Sequence, residues 1–261
     1  MMVGAFNPEA VAHHIDAAHA SRAEYANLPP DLAPTTVTDA YAAQQALAKR
    51  LAPRLGGIAG LKIATTTRVM QELMGIDHPC GGVIFAANVH ASPAQIRLAS
   101  HVHLMIECEL AVRIGSPLPP PQTPYTAETV RPAVSALMPA FELIDDRHAD
   151  YKSAQALSLI ADNCWNAGVV LGVETALEPT RSLSGIAGTL EINGQPRGKG
   201  TTDDPLAALA WLANLAAGYG QPLETGMVVI TGSVIATLPI GPSDQFVFRL
   251  EGLGPVELRA V

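Results

Sequence analysis

Apolar residues recur at helical spacing through the first part of the chain, where alanine is frequent. Asn7 followed by Pro8 has the residue types of a helix N-cap and first helical position, so a helix is predicted from there towards residue 26. The segment "LPPDLAP" interrupts this pattern. Thr38 is predicted to cap a second helix, "DAYAAQQALAKRLAPRL", which ends near the Gly56-Gly57 pair. The N-terminal part is therefore predicted to be helical.

Beyond the second helix, the pattern changes to short apolar runs that are separated by glycine, proline and other turn residues. Such runs are typical of β-strands. Asn193-Gly194 is a sequence that favours a two-residue hairpin turn, so the runs on either side of it are predicted to pair. The predicted strands are "GLKIATTT", "GGVIFAANVHA", "HVHLMIECELAVRI", "MPAFELID", "NAGVVLGVE", "GTLEING", "MVVITGSV" and "QFVFRLEGLG".

One further helix is predicted among the strands, because Asp204 and Pro205 begin the run "PLAALAWLANLAAGYG" and glycines end it. Strands outnumber helices, and few strand–helix–strand alternations occur. The predicted fold class is therefore α+β: a mixed, largely antiparallel sheet curled on itself, with N-terminal helices and one flanking helix. We expect residues 1–60 to form a helical segment packed on a main domain of residues 61–261.

The composition favours a well-packed enzyme or binding domain over a surface that binds nucleic acid. Hydrophobic residues make up 48% of the 261 residues, charged residues make up 15%, and the formal net charge is −8. A nucleic-acid surface needs a basic face, which this balance disfavours. No signal peptide is recognised, and no apolar run is long enough to cross a bilayer, so a cytoplasmic location is expected. Cys108 and Cys164 lie in apolar segments, where buried reduced thiols are expected.

The run "LMIECELAVRIG" places two glutamates, Glu107 and Glu109, inside an apolar strand. Alternate residues of a strand share a face, so both carboxylates point to the same side. Two interpretations stay open. Either this face is solvated and the glutamates pair with cations, or the carboxylates converge on a hard divalent cation, which prefers oxygen ligands. The opposite face is uniformly apolar and consists of Leu104, Ile106, Cys108, Leu110 and Val112.

Glu142 and Lys62 are single charges within other apolar strands. Glu142, in "MPAFELIDDR", is the best candidate for a third carboxylate ligand. Lys62, in "GLKIATTT", either reaches solvent at the end of its strand or is partly desolvated. In the second case its pKa would be lowered, which would suit proton transfer. Three glutamates and one lysine in apolar strands thus predict an acidic metal site with a cationic partner.

Other candidates carry weaker signals. Thr231 and Ser233 flank a glycine in "VITGSV", where hydroxyl and backbone N–H groups can form a turn or bind a substrate carboxylate. Asp162, which precedes "NCWNAGVVLG", is a further predicted substrate-binding residue; it can also orient catalytic groups or simply begin a strand. His19, on the first helix, is expected at the surface. His103 shares the face of the two glutamates and is expected to be solvated.

Several motifs together resemble a known family. They are the E-x-E of residues 107–109 and the segments "PAFELIDDR", "GLKIATTTRVMQELMGI", "ADNCWNAGVVLG", "DPLAALAWLAN", "VITGS" and "SDQFVFRLEGLGPVEL". In this combination and order, the chain resembles the fumarylacetoacetate hydrolase superfamily, and within it the 2-keto-4-pentenoate hydratases and 4-oxalocrotonate decarboxylases. The likeness covers nearly the whole chain. Phosphate-binding, dinucleotide-binding, zinc-protease and serine-hydrolase motifs are not found in the sequence.

The resemblance implies a fold of the fumarylacetoacetate hydrolase type and a divalent metal held by Glu107, Glu109 and Glu142. The metal is normally Mg²⁺, with Mn²⁺ as the alternative. It also implies a 2-oxo acid substrate, with Lys62 as the residue that handles protons. A homo-oligomer is expected, with association with a sister decarboxylase or hydratase as a further possibility.

The implied reaction is the addition of water to a short 2-hydroxydienoate, such as 2-hydroxypenta-2,4-dienoate, in the meta-cleavage catabolism of aromatic compounds. The alternatives are a decarboxylase of 4-oxalocrotonate-like 2-oxo diacids and a non-catalytic subunit that binds metal and ligand. Two departures from the family keep these alternatives open. "ATTT" follows Lys62-Ile63, where related hydratases tend to have "GLTS". Cys80 stands where relatives tend to carry an aspartate.

Overall fold

Six α-helices are found in the computed structural model, which describes residues 6–261. The two N-terminal helices and the helix of residues 205–218 correspond to predicted helices, whereas the three short ones were not predicted. The helices are α1 (Pro8–Ala20), α2 (Val37–Leu55), α3 (Arg68–Met74), α4 (Ala127–Val130), α5 (Ala156–Ala161) and α6 (Pro205–Gly218).

The N-terminal helices differ from the prediction at one end each. Helix α1 stops at Ala20 rather than near residue 26, because Arg22 takes a left-handed conformation (φ 52°) and the chain leaves the helix. Helix α2 is capped by Thr36, whose hydroxyl oxygen accepts the N–H of Asp39 at 3.0 Å. The predicted cap, Thr38, is therefore wrong and lies in the first turn. Neighbouring threonines in "TTVTD" offer equivalent capping groups, and only the backbone geometry distinguishes them.

Thirteen strands form two mixed sheets. The larger sheet has the order β2-β1-β11-β5-β6-β7-β3, with β8 also paired to β6, and the smaller has the order β10-β9-β12-β13-β4. The strands are β1 (Ile58–Ala64), β2 (Cys80–Phe85), β3 (Val89–Ala91), β4 (Ala94–Ile96), β5 (Leu104–Ile114), β6 (Val134–Asp145), β7 (Asn166–Leu171), β8 (Thr175–Ala176), β9 (Ala187–Ile192), β10 (Gln195–Thr201), β11 (Val228–Pro239), β12 (Gln245–Leu250) and β13 (Pro255–Ala260).

Most neighbouring strands are antiparallel, and the parallel pairs are β1 with β11, β3 with β7, and β4 with β13. The predicted hairpin joins β9 to β10, with Asn193 and Gly194 both at positive φ (54° and 74°). Both residues of a type I′ turn need positive φ, which explains the asparagine–glycine pair. The predicted α+β class, with mixed and largely antiparallel sheet, N-terminal helices and one flanking helix, is confirmed.

The apolar face of β5 and β6 packs towards the smaller sheet. Phe141 of β6 lies edge-on to Phe246 of β12 (ring centroids 6.3 Å apart) and also contacts Phe248 (6.2 Å). The predicted apolar side of β5 is buried as expected. Burial of this side fixes the register of β5, because a slip by one residue would turn its apolar face to solvent. Glu107 and Glu109 therefore point away from the smaller sheet, on the other face of the larger sheet.

Helix α2 is joined to the main sheet through Gln44. Its side-chain amide donates to the carbonyl oxygens of Gly81 (2.9 Å) and Ile160 (2.8 Å), so one buried group links α2, β2 and α5. The division into a helical segment of residues 1–60, whose first five residues lie outside the described part, and a domain of residues 61–261 remains a proposal. Among the described residues, no helix has both the length and the apolar character needed to span a bilayer.

Candidate active site

Strand pairing brings the three predicted glutamates together. Glu107 of β5 lies directly opposite Glu142 of β6, and Glu109 follows two positions along β5 on the same face. One carboxylate oxygen from each residue lies within 4.8 Å of the others. Glu109 and Glu142 are fully buried, whereas Glu107 is partly exposed. The first interpretation of the β5 face, as a solvated surface, is wrong for Glu109, and Glu142 is buried as its apolar strand predicted.

An irregularity in β11 supplies a hydrogen bond to Glu109. The pairing of β11 with β5 shifts register between Ile230 and Ser233, and Gly232 lies in this interval with φ 112°. Glycine is favoured there because a side chain would be strained at that φ. The N–H of Gly232 donates to Glu109 Oε2 at 2.7 Å. The sequence left open whether backbone N–H groups of this segment form a turn or bind a substrate carboxylate; the N–H of Gly232 binds a carboxylate of the protein.

Lys62 is buried beside Glu142. Its strand, β1, runs parallel to β11, and the lysine is 2% exposed, so it does not reach solvent. Lys62 Nζ lies 2.9 Å from Glu142 Oε1. It also donates to the backbone carbonyl oxygen of Cys164 at 3.4 Å. The ammonium group is therefore fixed next to the carboxylate cluster.

A left-handed turn holds the groups on the far side of Glu142. Asn163, Cys164 and Trp165 all have positive φ (53°, 49° and 57°), a conformation that is costly for residues with side chains. The amide of Asn163 pairs with both backbone groups of Val83, accepting at 2.7 Å and donating at 2.9 Å. This pairing anchors the turn to β2. The residue that follows the turn is Asn166, and its side-chain amide donates to Glu142 Oε1 at 3.0 Å.

Burial and mutual repulsion raise the pKa values of the two buried glutamates. Burial raises the pKa of Glu142 to about 7, although Lys62 opposes the change. Burial, followed by repulsion from Glu142 and Glu107, raises the pKa of Glu109 well above its usual range. Burial alone would lower the pKa of Lys62, but the carboxylates, Glu142 first, raise it above its ordinary value. The predicted lowering of the Lys62 pKa is thus wrong for this charge arrangement.

The cluster has the chemistry of a divalent cation site. Two buried oxygens, Glu109 Oε1 and Glu142 Oε2, accept no hydrogen bond from any described residue. Buried polar atoms without partners are rare and call for a ligand. Three carboxylates and one ammonium group leave two formal negative charges, which one divalent cation would neutralise. Because carboxylate oxygens suit hard cations such as Mg²⁺, Glu107, Glu109 and Glu142 fit the metal that the resemblance implies.

A cavity of about 580 Å³ opens onto this cluster. Lys62, Glu107, Ser233 and Thr237 line its polar part, and the Thr237 hydroxyl donates to Glu107 Oε1. The rest of the wall is mainly apolar and includes residues of α3, β5 and β6. The volume lies within the range of about 300–1,000 Å³ that is usual for pockets that bind small molecules.

Two of the predicted substrate-binding residues, Ser233 and Thr231, differ in whether they line this cavity. Ser233 lines the cavity, and its hydroxyl donates to the carbonyl oxygen of Ile235 at 2.5 Å. Thr231 is buried, and its hydroxyl donates to the carbonyl oxygen of Leu110 at 2.8 Å. Thr231 lines a neighbouring cavity rather than this one. The direct role of Ser233 therefore stays a prediction, and Thr231 is placed to support the strand pairing.

Asp162 lies behind the site, beneath the left-handed turn. It forms an ion pair with Arg147 and lies 2.6 Å from His19 Nε2. His19 was expected at the surface, but its side chain is only one-third exposed because it contacts Asp162. His103 likewise contacts Asp146, with Nδ1 2.7 Å from Oδ1. Asp162 does not line the cavity beside the carboxylate cluster, so its predicted role in substrate binding stays a prediction.

The cysteine that departs from the family pattern is fully buried. Cys80 pairs with Ala64 at the end of β1, and it does not line the cavity. A hydrogen bond with the Cys164 thiol lowers the pKa of Cys80 to about 7 and raises that of Cys164. Cys80, Cys108 and Cys164 are all buried free thiols, as expected for the latter two.

Several residues of the site carried no usable signal in the sequence. Asn166, Thr237 and the N–H of Gly232 each bind one of the three glutamates. Asn166 is the last residue of the "NCWN" segment, but nothing in the residue order links it to Glu142 across a sheet. The short helix α3, which supplies Met70 and Met74 to the cavity, has too few residues for its periodicity to identify it.

Comparison with known proteins identifies the family of the chain. The family model described as fumarylacetoacetate (FAA) hydrolase C-terminal matches residues 67–261. The chain is 29% identical to 4-oxalocrotonate decarboxylase of Pseudomonas putida over 258 residues, which covers 97% of this chain and 96% of the relative. It is 30% identical to 2-keto-4-pentenoate hydratase of Paraburkholderia phymatum over 252 residues, or 95% of each chain.

Among solved structures, 4-oxalocrotonate decarboxylase from Pseudomonas putida G7, complexed with magnesium and adipate, superposes with a TM-score of 0.89. The two chains are 27% identical, and the alignment covers 97% of each. On the family match, the chain belongs to the fumarylacetoacetate hydrolase family.

Proposed function

We propose that the protein is a divalent-metal-dependent hydratase that adds water to a short 2-hydroxydienoate such as 2-hydroxypenta-2,4-dienoate. The observation that carries this proposal is the group of three converging carboxylates, two of them with unpartnered buried oxygens, beside a buried lysine. The relatives named 2-keto-4-pentenoate hydratase support the same reaction class.

The proposed ligands are Glu107, Glu109 and Glu142, with Mg²⁺ as the ion and Mn²⁺ as the alternative. A divalent cation held there would supply Lewis-acid chemistry and stabilise negative charge that develops on the 2-oxo oxygen of the substrate. Hydrogen bonds from Gly232 and Thr237 hold the carboxylates of Glu109 and Glu107 in fixed orientations. Such supporting contacts usually matter for metal affinity.

Lys62 is the proposed catalytic residue, because it is the one cation among the residues that line the cavity. Glu142 and the carbonyl oxygen of Cys164 fix its ammonium group. Since the pKa of Lys62 is raised, it is protonated at neutral pH. It can therefore donate a proton or a hydrogen bond to the substrate, rather than begin the reaction as a base.

The overall conversion consumes one water molecule for each dienoate. Protonation of 2-hydroxypenta-2,4-dienoate at C5 and loss of the hydroxyl proton gives 2-oxopent-3-enoate. Water then adds across the C3–C4 double bond, with its oxygen at C4, to give 4-hydroxy-2-oxopentanoate. Ser233 lies on the cavity wall and is proposed to contact the substrate.

A decarboxylase is the second candidate, because relatives with that name match as much of the chain as the hydratases do. Its substrate would be a 2-oxo diacid of the 4-oxalocrotonate type. Both reactions use the same acidic cluster, so the cluster alone does not separate them.

Spectroscopic assays distinguish the candidates. The purified protein is incubated with Mg²⁺ and 2-hydroxypenta-2,4-dienoate, and the ultraviolet band of the dienol is followed while 4-hydroxy-2-oxopentanoate is quantified. The hydratase predicts loss of the band with formation of this product. CO₂ release from 4-oxalocrotonate, without hydration of the dienoate, would establish the decarboxylase instead.

A non-catalytic subunit would bind 2-oxo acids with Mg²⁺ but turn over neither substrate. Glu142→Gln is the control in each assay, since it retains the shape of the side chain and removes a ligand charge. Homo-oligomeric assembly, association with a sister enzyme and a cytoplasmic location are further parts of the proposal. Light scattering of the purified chain, alone and with such an enzyme, tests the first two.

A further inference from the structure

The cavity has a polar end and a large apolar end. Two positions along β5 and β6 from the Glu107–Glu142 pair, Met105 and Ile144 face each other across the strands. Residues two apart on a strand share a face and are separated by about 7 Å. Both side chains line the cavity. The apolar wall therefore begins where the tail of a 2-oxo acid would lie if its first two carbons were held at the carboxylate cluster.

Helices α3 and α5 complete this apolar wall. Met70 and Met74 are four residues apart on α3, so they lie on one face of the helix, and both line the cavity. Leu159 of α5 and the ring of Trp165 close the wall. Methionine side chains are flexible and polarisable, so they adapt to apolar groups of different shape.

No group on this wall offers a charge to balance a second carboxylate. Among the cavity-lining residues, all within the described part, the single cation is Lys62, which is already paired with Glu142. The Tyr151 hydroxyl, which lines the wall, already donates to Asp146 Oδ2 at 3.0 Å. The indole N–H of Trp165 lacks a partner, but one neutral donor does not balance a carboxylate.

The size of the cavity exceeds the size of a five-carbon acid. 2-Hydroxypenta-2,4-dienoate has eight non-hydrogen atoms. If each occupied as much volume as a water molecule in the liquid, about 30 Å³, the acid would still fill less than half of the 580 Å³ cavity. Most of the side chains that line the cavity away from the carboxylate cluster are apolar or aromatic, although Thr65, Thr66 and Thr67 also contribute to the wall.

We propose that the preferred substrate carries an uncharged apolar tail longer than that of the five-carbon acid, and that Met70, Met74, Met105 and Ile144 determine this preference. This proposal rests on the proposed binding of a 2-oxo acid at the acidic cluster. It excludes a diacid as the preferred substrate. Each additional buried methylene should tighten binding by up to about fourfold until the wall is filled.

Affinity tests the proposal without depending on turnover. Calorimetry in saturating Mg²⁺ gives the dissociation constants of pyruvate, 2-oxohexanoate and 2-oxooctanoate. The matched pair is 2-oxohexanoate and 2-oxohexanedioate, which have the same carbon chain and differ in the charged end. The expected result is a steady gain in affinity from pyruvate to 2-oxooctanoate, with the diacid binding at least about tenfold more weakly than 2-oxohexanoate.

A variant with an added cation provides the converse test. Met70 is partly exposed on a short helix, so Met70→Lys is compatible with the fold, and Met70→Leu is its matched control. Met70→Lys should improve binding of 2-oxohexanedioate and weaken that of 2-oxooctanoate, whereas Met70→Leu should preserve the wild-type order. The wild-type series remains decisive if Met70→Lys is poorly soluble.

The outcomes separate the tail preference from the proposed reaction. If long monoacids bind best but no dienoate is hydrated, the tail preference stands and the hydratase proposal fails. If the diacid binds as tightly as its monoacid partner, the tail preference is overturned even if hydration occurs. If no 2-oxo acid binds in Mg²⁺, both fail. The test uses affinity rather than turnover because an apolar wall can promote loss of CO₂ from a diacid even when that diacid binds weakly. Turnover of a diacid would therefore not measure the preference for a tail.

Discussion

Lys62 Nζ lies 2.9 Å from Glu142 Oε1, and both side chains are buried. A buried ion pair of this kind contributes little to stability by itself, because desolvation of both charges offsets their attraction. The pair does, however, fix an ammonium group beside two further carboxylates. Its position at the closed end of a small-molecule cavity is what connects the fold to the proposed chemistry.

Removal of one ligand charge should abolish tight metal binding. Glu142→Gln retains the side-chain shape and relieves repulsion among the carboxylates, so the fold should remain intact. The affinity for Mg²⁺ should fall at least about 100-fold, since loss of even a supporting contact costs 10–100-fold. Calorimetric titration measures this. Glu257→Gln, an exposed position on β13, is the control, and equal affinities in the two variants would refute the ligand assignment.

Lys62→Met should destabilise the metal-free protein, whereas the metal-bound protein should keep its stability and lose turnover. In the metal-free protein, it leaves the Glu142 carboxylate without its cation, and the free energy of unfolding should fall by about 3 kcal/mol at pH 8. The loss should be smaller at pH 6, where the carboxyl can take up a proton. Saturating Mg²⁺ should restore stability, while turnover falls about 10²- to 10⁴-fold. Denaturant melts and the dienoate assay check both effects; full activity would remove Lys62 from the mechanism.

Two buried or partly buried threonines on β11 should behave differently. Thr237 donates to the Glu107 carboxylate, so Thr237→Val should weaken Mg²⁺ binding by about 10- to 100-fold. Thr231 donates to a backbone carbonyl oxygen, so Thr231→Val should cost about 1 kcal/mol of stability and leave metal affinity unchanged. Calorimetry and denaturant melts on the same preparations make the comparison. A loss of metal affinity in Thr231→Val alone would contradict these assignments.

Metal affinity should rise with pH. Because the pKa of Glu142 is raised to about 7 and that of Glu109 is also raised, the metal-free site holds protons that a cation must displace. The affinity for Mg²⁺ should therefore increase between pH 6 and pH 8 and then level off as the carboxyls ionise. Titrations in buffers of different ionisation enthalpy measure the protons released, and no release at pH 6.5 would contradict the account.

The same pKa shifts predict the pH dependence of stability in the metal-free protein. A raised pKa means that the folded state holds protons more tightly than the unfolded state, whose Glu pKa is near the ordinary 4.5. The stabilisation is present below about pH 4.5 and is lost as pH rises through about 7. For Glu142 this loss is roughly 3 kcal/mol. Denaturant melts with and without Mg²⁺ should show the loss only in its absence.

The sequence was sufficient to predict the fold class and the charged members of the site. Glu107, Glu109, Glu142 and Lys62 were identifiable because charges in apolar strands need partners, which is a rule about local composition. The alternation along β5 also predicted which face is apolar. That face is buried against the smaller sheet.

The remaining parts of the site depend on strand pairing that the residue order does not specify. Nothing local indicates that Glu107 lies opposite Glu142, or that an irregularity at Gly232 directs an N–H group at Glu109. The left-handed turn at residues 163–165 was missed because cysteine and tryptophan rarely adopt that conformation, and one asparagine before them does not indicate three such residues in succession. Its stability comes from the pairing of Asn163 with Val83, which is a long-range contact.

The most direct test of the central claim is the anomalous diffraction of Mn²⁺ in crystals grown with the ion and oxalate. The account predicts one Mn²⁺ peak, bonded to a carboxylate oxygen from each of Glu107, Glu109 and Glu142 at roughly 2.0–2.3 Å, with oxalate on its cavity side. Absence of Mn²⁺ from this cluster at saturating concentration, or a peak bonded to other residues while the three carboxylates stay apart, would contradict it.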